Sequence, residues 1–176
     1  MISGVLLGSL LVYLALAVGF DLRARRIPNV ISGPALLVGL SLNAAQSGTA
    51  GLLASVGGAA LGIGILMLPF AAGGIGGGDV KMMGAVGAFL GPRIAVMGLV
   101  IGMIIGGVIM SVHLVRLGRL RDTLASLTTM VTVAATTRSL EAMTVRTDTV
   151  SAVSLPYSVP LALGTLLAIF LAGRAG

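Results

Sequence analysis

Apolar runs of close to twenty residues are the feature of the sequence that most limits its fold. The longest of them begin near residues 2, 51 and 94. A helix of about twenty apolar residues is long enough to cross the hydrocarbon core of a bilayer. Hydrophobic residues make up 57% of the chain and charged residues only 9%, whereas a soluble domain carries about 25% charged residues. The chain is therefore predicted to be an integral membrane protein.

The runs predict one domain over residues 1–176, an all-α polytopic bundle of about six transmembrane helices. The predicted helices cover approximately residues 2–20, 30–45, 51–72, 79–90, 94–115 and 155–172. The stretch 123–150 is rich in threonine and carries charged side chains, so placing it in hydrocarbon would be costly. We therefore expect residues 116–152 to form a cytoplasmic or interfacial segment.

The positions of the basic residues predict the orientation of the bundle. The arginines nearest the first apolar run follow it, so this run is expected to be a retained helix and not a signal peptide. With the N-terminus outside, nine of the eleven basic residues lie in the cytoplasm, and only Arg93 and Arg174 lie outside. Since cytoplasmic loops are enriched in basic residues, this orientation is favoured. It also explains the net charge of +6 without a nucleic-acid partner.

The absence of cysteine excludes several kinds of site. The chain has no cysteine and a single histidine, so disulfides, thiolate ligands and a zinc centre are not expected. That histidine, His113, is expected to be a packing or interfacial residue. We therefore predict that the protein holds no metal and needs no cofactor.

Two aspartates stand at the predicted cytoplasmic ends of apolar runs. Asp21 directly follows the first predicted helix, and Asp79 opens the fourth. An ionised carboxylate near hydrocarbon is costly, so such residues tend to pair, bind ions or perform chemistry. There are structural alternatives for both residues. Asp21 would be a solvated residue beside arginines, and Asp79 a residue that caps the N-terminus of its helix.

Three motifs surround these aspartates and the last helix. The segment 76–81 has the pattern Gly-x-Gly-Asp-x-Lys, Asp21 is followed by the triplet Ile-Pro-Asn at residues 27–29, and residues 156–164 read PYSVPLALG. Together, in this order and at these helix ends, they resemble the signatures of the type IV prepilin peptidases, a family of membrane aspartyl proteases. The resemblance spans nearly the whole chain.

The resemblance implies that Asp21 and Asp79 are the catalytic pair. Two carboxyl groups held close together share a proton and titrate as a unit. One can then deprotonate water while the other donates a hydrogen bond to the scissile carbonyl. The glycines Gly76 and Gly78 are expected to let the backbone turn sharply and an extended substrate approach.

Three further residues are expected to shape or support the site. Pro28 and Asn29 are expected to form the turn into the second helix and so to support the position of Asp21. Lys81 is expected to contact substrate or lipid headgroups, and an anchoring role at the membrane surface is an equally good interpretation.

The resemblance also implies a substrate and a location. It implies an endopeptidase of the cytoplasmic (inner) membrane that removes the basic leader from type IV or Flp-type prepilins or pseudopilins. Its partners would be the prepilin, the bilayer and the pilus assembly machinery. Longer members of the family carry an extension with four cysteines and also methylate the pilin. Only twenty residues precede Asp21 and the chain has no cysteine, so it resembles the short, peptidase-only form, for which methylation with S-adenosylmethionine is not expected.

Two other functions fit parts of the pattern. A presenilin-like or signal-peptide-peptidase-like protease shares the glycine–aspartate motif, but places its first aspartate within a helix. A small transporter or proton channel would use the two carboxylates as an ion relay. It would need acidic groups near mid-membrane, and none of the predicted helices has one in its middle.

Overall fold

The computed structural model describes residues 3–71, 75–118 and 157–174. Within these ranges the regular structure is α-helical throughout and contains no strand. The helices are α1 (Gly4–Ala24), α2 (Asn29–Ala71), α3 (Gly77–Arg116) and α4 (Ser158–Arg174). The first three are long and apolar enough to cross a membrane, and α4 is a shorter apolar helix. The all-α prediction is confirmed for this part of the chain. Most of the predicted interfacial segment, from residue 119 to 152, lies outside the described residues.

Helix α1 extends further than its apolar run. The Ser3 hydroxyl caps its start by accepting a hydrogen bond from the Leu6 amide. Its end is marked by Arg25, which has a left-handed φ of 50° and donates its amide to the Asp21 carbonyl at 2.8 Å. Asp21 therefore lies in the last turn of α1, and the prediction that it follows the helix was wrong. Hydropathy marks the end of the lipid-facing run, whereas residues such as leucine, arginine and alanine readily continue the helix beyond it.

The predicted second and third helices form α2, and the predicted fourth and fifth form α3. One glycine in each has a non-helical backbone, Gly48 at φ 58°, ψ −139° and Gly91 at φ 71°, ψ 177°. Glycine adopts such positive φ values without a steric penalty, so the direction of the chain can change at a single residue. The described residues thus contain three helices that could span a membrane, and the prediction of six separate spans is not supported.

At Gly48 the chain folds back on itself. In a straight helix, residues eight positions apart are separated by about 12 Å. A Cβ atom placed on Gly51 would instead overlap the Asn43 carbonyl oxygen. Helix α2 therefore consists of two adjacent arms, residues 29–47 and 49–71.

Glycines allow the helices to pack with their backbones in contact. A Cβ atom on Gly58 would overlap the Gly87 carbonyl of α3. Between α3 and α4, a Cβ atom on Gly164 would overlap the backbone of Gly98 and Gly102. Small residues at such spacing are the usual means by which helices approach closely in lipid. Gly98, Gly102 and Gly106 therefore form the surface of α3 on which α4 lies.

Side chains of α2 stabilise the break in α3. Pro92 has no amide hydrogen, so it cannot donate to the Ala88 carbonyl four residues earlier. The Ser55 hydroxyl donates to that carbonyl at 2.7 Å, and the Asn43 amide donates to it and to the Phe89 carbonyl at 3.0 Å each. Because a buried carbonyl without a donor is costly, these contacts hold the break at a fixed place.

Gly91 divides α3 into two arms, residues 77–90 and 92–116. The first arm is the centre of the bundle. Every residue from Met82 to Phe89 is buried, and this stretch packs in one apolar core with Leu10, Leu14 and Ala17 of α1. A helix that is buried on all sides is held by its neighbours along its whole length. Asp79 opens this arm, so its position is fixed by the core of the protein.

Candidate active site

The two aspartates come from different helices and meet at one end of the bundle. Asp21 is half-buried in the last turn of α1, and Asp79 is 8% exposed in the first turn of α3. They are close enough for the charge of Asp21 to act on Asp79. The buried Ile27 side chain, just after α1, packs against Gly78, where a Cβ atom would lie 3.2 Å from the Ile27 Cγ1 atom. The segment after α1 therefore contacts the start of α3.

Asp79 also caps its own helix. Its Oδ2 atom accepts a hydrogen bond from the Gly76 amide at 3.3 Å, and its own amide donates to the Gly76 carbonyl at 3.1 Å. This is the contact of a carboxylate at the third helical position with the residue that precedes the helix. The capping alternative for Asp79 is therefore present in the structure. It engages one carboxyl oxygen and holds the side chain over the turn that begins at Gly76.

Asp21 is held by a residue from the far end of the chain. Ser158, the first residue of α4, is fully buried and donates its hydroxyl to the Asp21 Oδ2 atom at 2.5 Å. Ser158 was not among the residues predicted for the site, although it lies in the proline-rich segment 156–164. The sequence does show a hydroxyl residue at the start of an apolar helix. It does not show which carboxyl group that hydroxyl would contact.

Gly76 and Gly78 do not themselves form a turn that requires glycine. Gly76 has φ −79° and ψ 148°, an extended conformation open to any residue, and Gly78 already lies within α3. The described glycines with positive φ lie elsewhere in the chain. The contact of Gly78 with Ile27 supplies a different reason for a small residue: a side chain there would press on the segment that follows Asp21.

The remaining predicted residues lie around the pair. The Pro28 carbonyl accepts the amides of Ile31 and Ser32, and α2 begins at Asn29. This agrees with a role in forming the turn into α2. Lys81 is exposed, and it projects away from Asp79 because two helical positions differ by about 200°. His113 is half-buried near the other end of α3.

This arrangement is suited to acid–base chemistry between two carboxyl groups. In the described part of the chain, no group of three or more acidic, histidine or cysteine residues could hold a metal ion. Two neighbouring carboxyl groups in a partly buried setting can hold one proton between them. Such a pair can act as general base and general acid on a water molecule and a carbonyl group.

Comparison with protein families gives a match over more than half of the chain. The family model described as the type IV leader peptidase family matches residues 7–111. No curated protein and no solved structure gives a significant match. The matched range contains both Asp21 and Asp79 and ends before α4, so Ser158 lies outside it.

Proposed function

The chain belongs to the type IV leader peptidase family, and on that premise we propose that it is a membrane-embedded aspartic endopeptidase acting on prepilins. The observation that carries this proposal is that Asp21 and Asp79, on separate helices, lie at the same end of the bundle, where the segment after α1 contacts the start of α3. The expected substrates are type IV or Flp-type prepilins or pseudopilins, whose basic leader is removed at the cytoplasmic face. The enzyme would thereby supply mature subunits to the pilus assembly machinery of the same membrane.

In the proposed mechanism the two carboxyls carry one proton between them. The ionised carboxylate accepts a proton from water as the water oxygen attacks the scissile carbonyl carbon. The protonated carboxyl donates its hydrogen bond to the carbonyl oxygen and stabilises the charge that develops there. When the tetrahedral intermediate collapses, the leaving amine takes up a proton from the pair. Both groups return to their starting states, as expected for a pair that titrates as a unit.

The proposed topology places this chemistry at the cytoplasmic surface of the inner membrane. We take the arms on either side of Gly48 and of Gly91 as separate passes, which with α1 and α4 gives six. The N-terminus would lie outside, since most basic residues then lie in the cytoplasm. Asp21 and Asp79 would both face the cytoplasm, where the leader of a prepilin is accessible.

The orientation can be tested with reporter fusions. A reporter joined after Arg121 should behave as cytoplasmic, and one inserted within residues 46–51 should behave as external. The reason is the charge asymmetry together with the reversal of α2 at Gly48. Alkaline phosphatase and fluorescent-protein fusions at both sites would measure this. The opposite pattern would place both carboxyls outside and contradict the proposed site of cleavage.

A presenilin-like protease is an alternative function that agrees with the position of Asp21 in the structure. Asp21 lies within α1, so its place relative to the helix no longer separates the two classes. The match over residues 7–111 favours the leader peptidases.

The activity can be tested directly with purified protein. Wild-type protein in lipid vesicles should cleave a synthetic prepilin segment that has a basic leader, a glycine before the cut and an apolar stretch after it. Mass spectrometry should show one cut after the glycine and an amino terminus without an added methyl group, even when S-adenosylmethionine is supplied. No cleavage of any such segment would contradict the proposed function, and a methylated product would contradict the peptidase-only form.

A further inference from the structure

The hydroxyl of Ser158 makes a contact that neither the sequence motifs nor the family match explains. It joins the start of α4 to the last turn of α1 through a hydrogen bond of 2.5 Å to the Asp21 Oδ2 atom. A distance of this length is at the short end of the range for hydrogen bonds between oxygen atoms. Ser158 has an exposed fraction of 0%, so water does not compete for the hydroxyl from the surface.

We infer that Ser158 is a positioning residue for Asp21: its hydroxyl fixes the Oδ2 atom and thereby sets the direction of the Oδ1 atom. This inference rests on the proposed function, because it assigns Ser158 to the same carboxyl pair. A carboxyl group is planar, so a strong contact to one oxygen restricts rotation of the whole group. The two aspartates are then held in different ways, Asp21 by a side chain of another helix and Asp79 by the backbone of its own turn.

The packing of α4 explains how a distant residue can hold this position. The glycines on the second arm of α3 bring α4 into backbone contact, and a Cβ atom on Gly102 would lie 3.0 Å from the Leu161 Cα atom. One turn further along α3, the Tyr157 and Pro160 side chains lie against Gly106. Each is 3.4 Å from the position of a Cβ atom on that glycine. Helix α4 is therefore packed against α3 with little space between the two backbones. This packing holds the start of α4, and with it Ser158, in a fixed position beside Asp21.

Substitutions at Ser158 separate positioning from simple packing. Ser158→Ala removes the donor and should lower kcat for cleavage of the synthetic prepilin segment by about 10- to 100-fold, since small displacements of a reacting group have effects of this size. KM should stay within about twofold, because Ser158 contacts Asp21 and not the substrate. Ser158→Thr keeps the hydroxyl and should restore most of kcat. A merely structural residue would show neither the split between kcat and KM nor the recovery with threonine.

Two further variants keep the test decisive. Thr165→Val removes another fully buried hydroxyl of α4, one that donates to the Leu161 carbonyl of its own helix, and should leave kcat unchanged. Ser158→Cys introduces a weak donor of similar size into a chain without cysteine, and should give an intermediate kcat even if Ser158→Ala fails to fold. Wild-type kcat in Ser158→Ala, or in Ser158→Cys if the alanine variant does not fold, would overturn the inference while leaving the proposed function intact. Failure of the wild-type protein to cleave would count against the proposed function instead.

Discussion

Asparagine in place of Asp21 or Asp79 should abolish cleavage, with kcat/KM falling by at least about 10³-fold in each variant. The amide has nearly the size and shape of the carboxyl group, but it can neither accept the proton of the attacking water nor alternate between two protonation states. Both variants should insert and accumulate normally, because removal of a charge near lipid costs the fold little. The measurement is the rate of cleavage of the synthetic prepilin segment at equal protein levels.

The controls use the aspartates outside the proposed pair. Asp122→Asn and Asp148→Asn remove carboxylates from the segment predicted to be interfacial and should leave the rate nearly unchanged. The variant with both Asp21 and Asp79 replaced should be no slower than either single variant, since groups that act as a unit are lost together. Substantial processing by Asp79→Asn would contradict the mechanism.

The largest effect on stability is expected at a glycine of the α2–α3 contact. In Gly58→Ala the new methyl group would overlap the Gly87 carbonyl of α3, so the two backbones must separate. Overpacking of this kind costs about 1–3 kcal/mol, and more when the obstacle is backbone. Separation would also weaken the neighbouring contact of Gly62 with the Met83 backbone. The midpoint of thermal unfolding in detergent, measured on purified protein, should fall clearly below that of the wild type.

The adjacent residue provides a matched control. Gly57 belongs to the same helical arm, and a Cβ atom there would meet nothing within 4 Å. Gly57→Ala should raise stability slightly, by up to about 1 kcal/mol, because alanine favours the helix over glycine. Equal effects of Gly57→Ala and Gly58→Ala would show that helix propensity, and not the contact between α2 and α3, decides the outcome.

The sequence predicted the helical content well and the helix boundaries less well. Apolar runs indicate which residues face lipid, and each of the predicted helices falls largely on helical residues where the chain is described. The runs do not indicate where the backbone stops being helical. Asp21 is helical because a polar side chain can point into water at the membrane surface while its backbone keeps the helical conformation. Gly48 and Gly91 change the backbone within one residue, which a hydropathy pattern cannot distinguish from a loop.

Asp21 and Asp79 could be singled out from the sequence because charge in an apolar chain is rare, whereas their pairing was implied by the family resemblance. Asp21 and Asp79 each stand at the edge of an apolar run, and this position alone makes their side chains candidates for chemistry. Ser158, Asn43 and Ser55 were not predicted, because a single serine or asparagine in an apolar run does not by itself indicate its hydrogen-bond partner. Their roles depend on which carbonyl or carboxyl lies opposite, and only the packing of distant helices determines that.

The contact between α3 and α4 bears on how small the functional protein can be. The glycines that allow α4 to approach also leave a strip of α3 backbone without side chains. Helix α4 covers this strip. A chain trimmed to the residues that match the family would keep both carboxyl groups but expose this strip to hydrocarbon, with no side chains to shield it. The same trimming would remove the hydroxyl that holds Asp21. We therefore expect α4 both to cover the neighbouring backbone and to border the proposed site, so that the smallest active unit would include it.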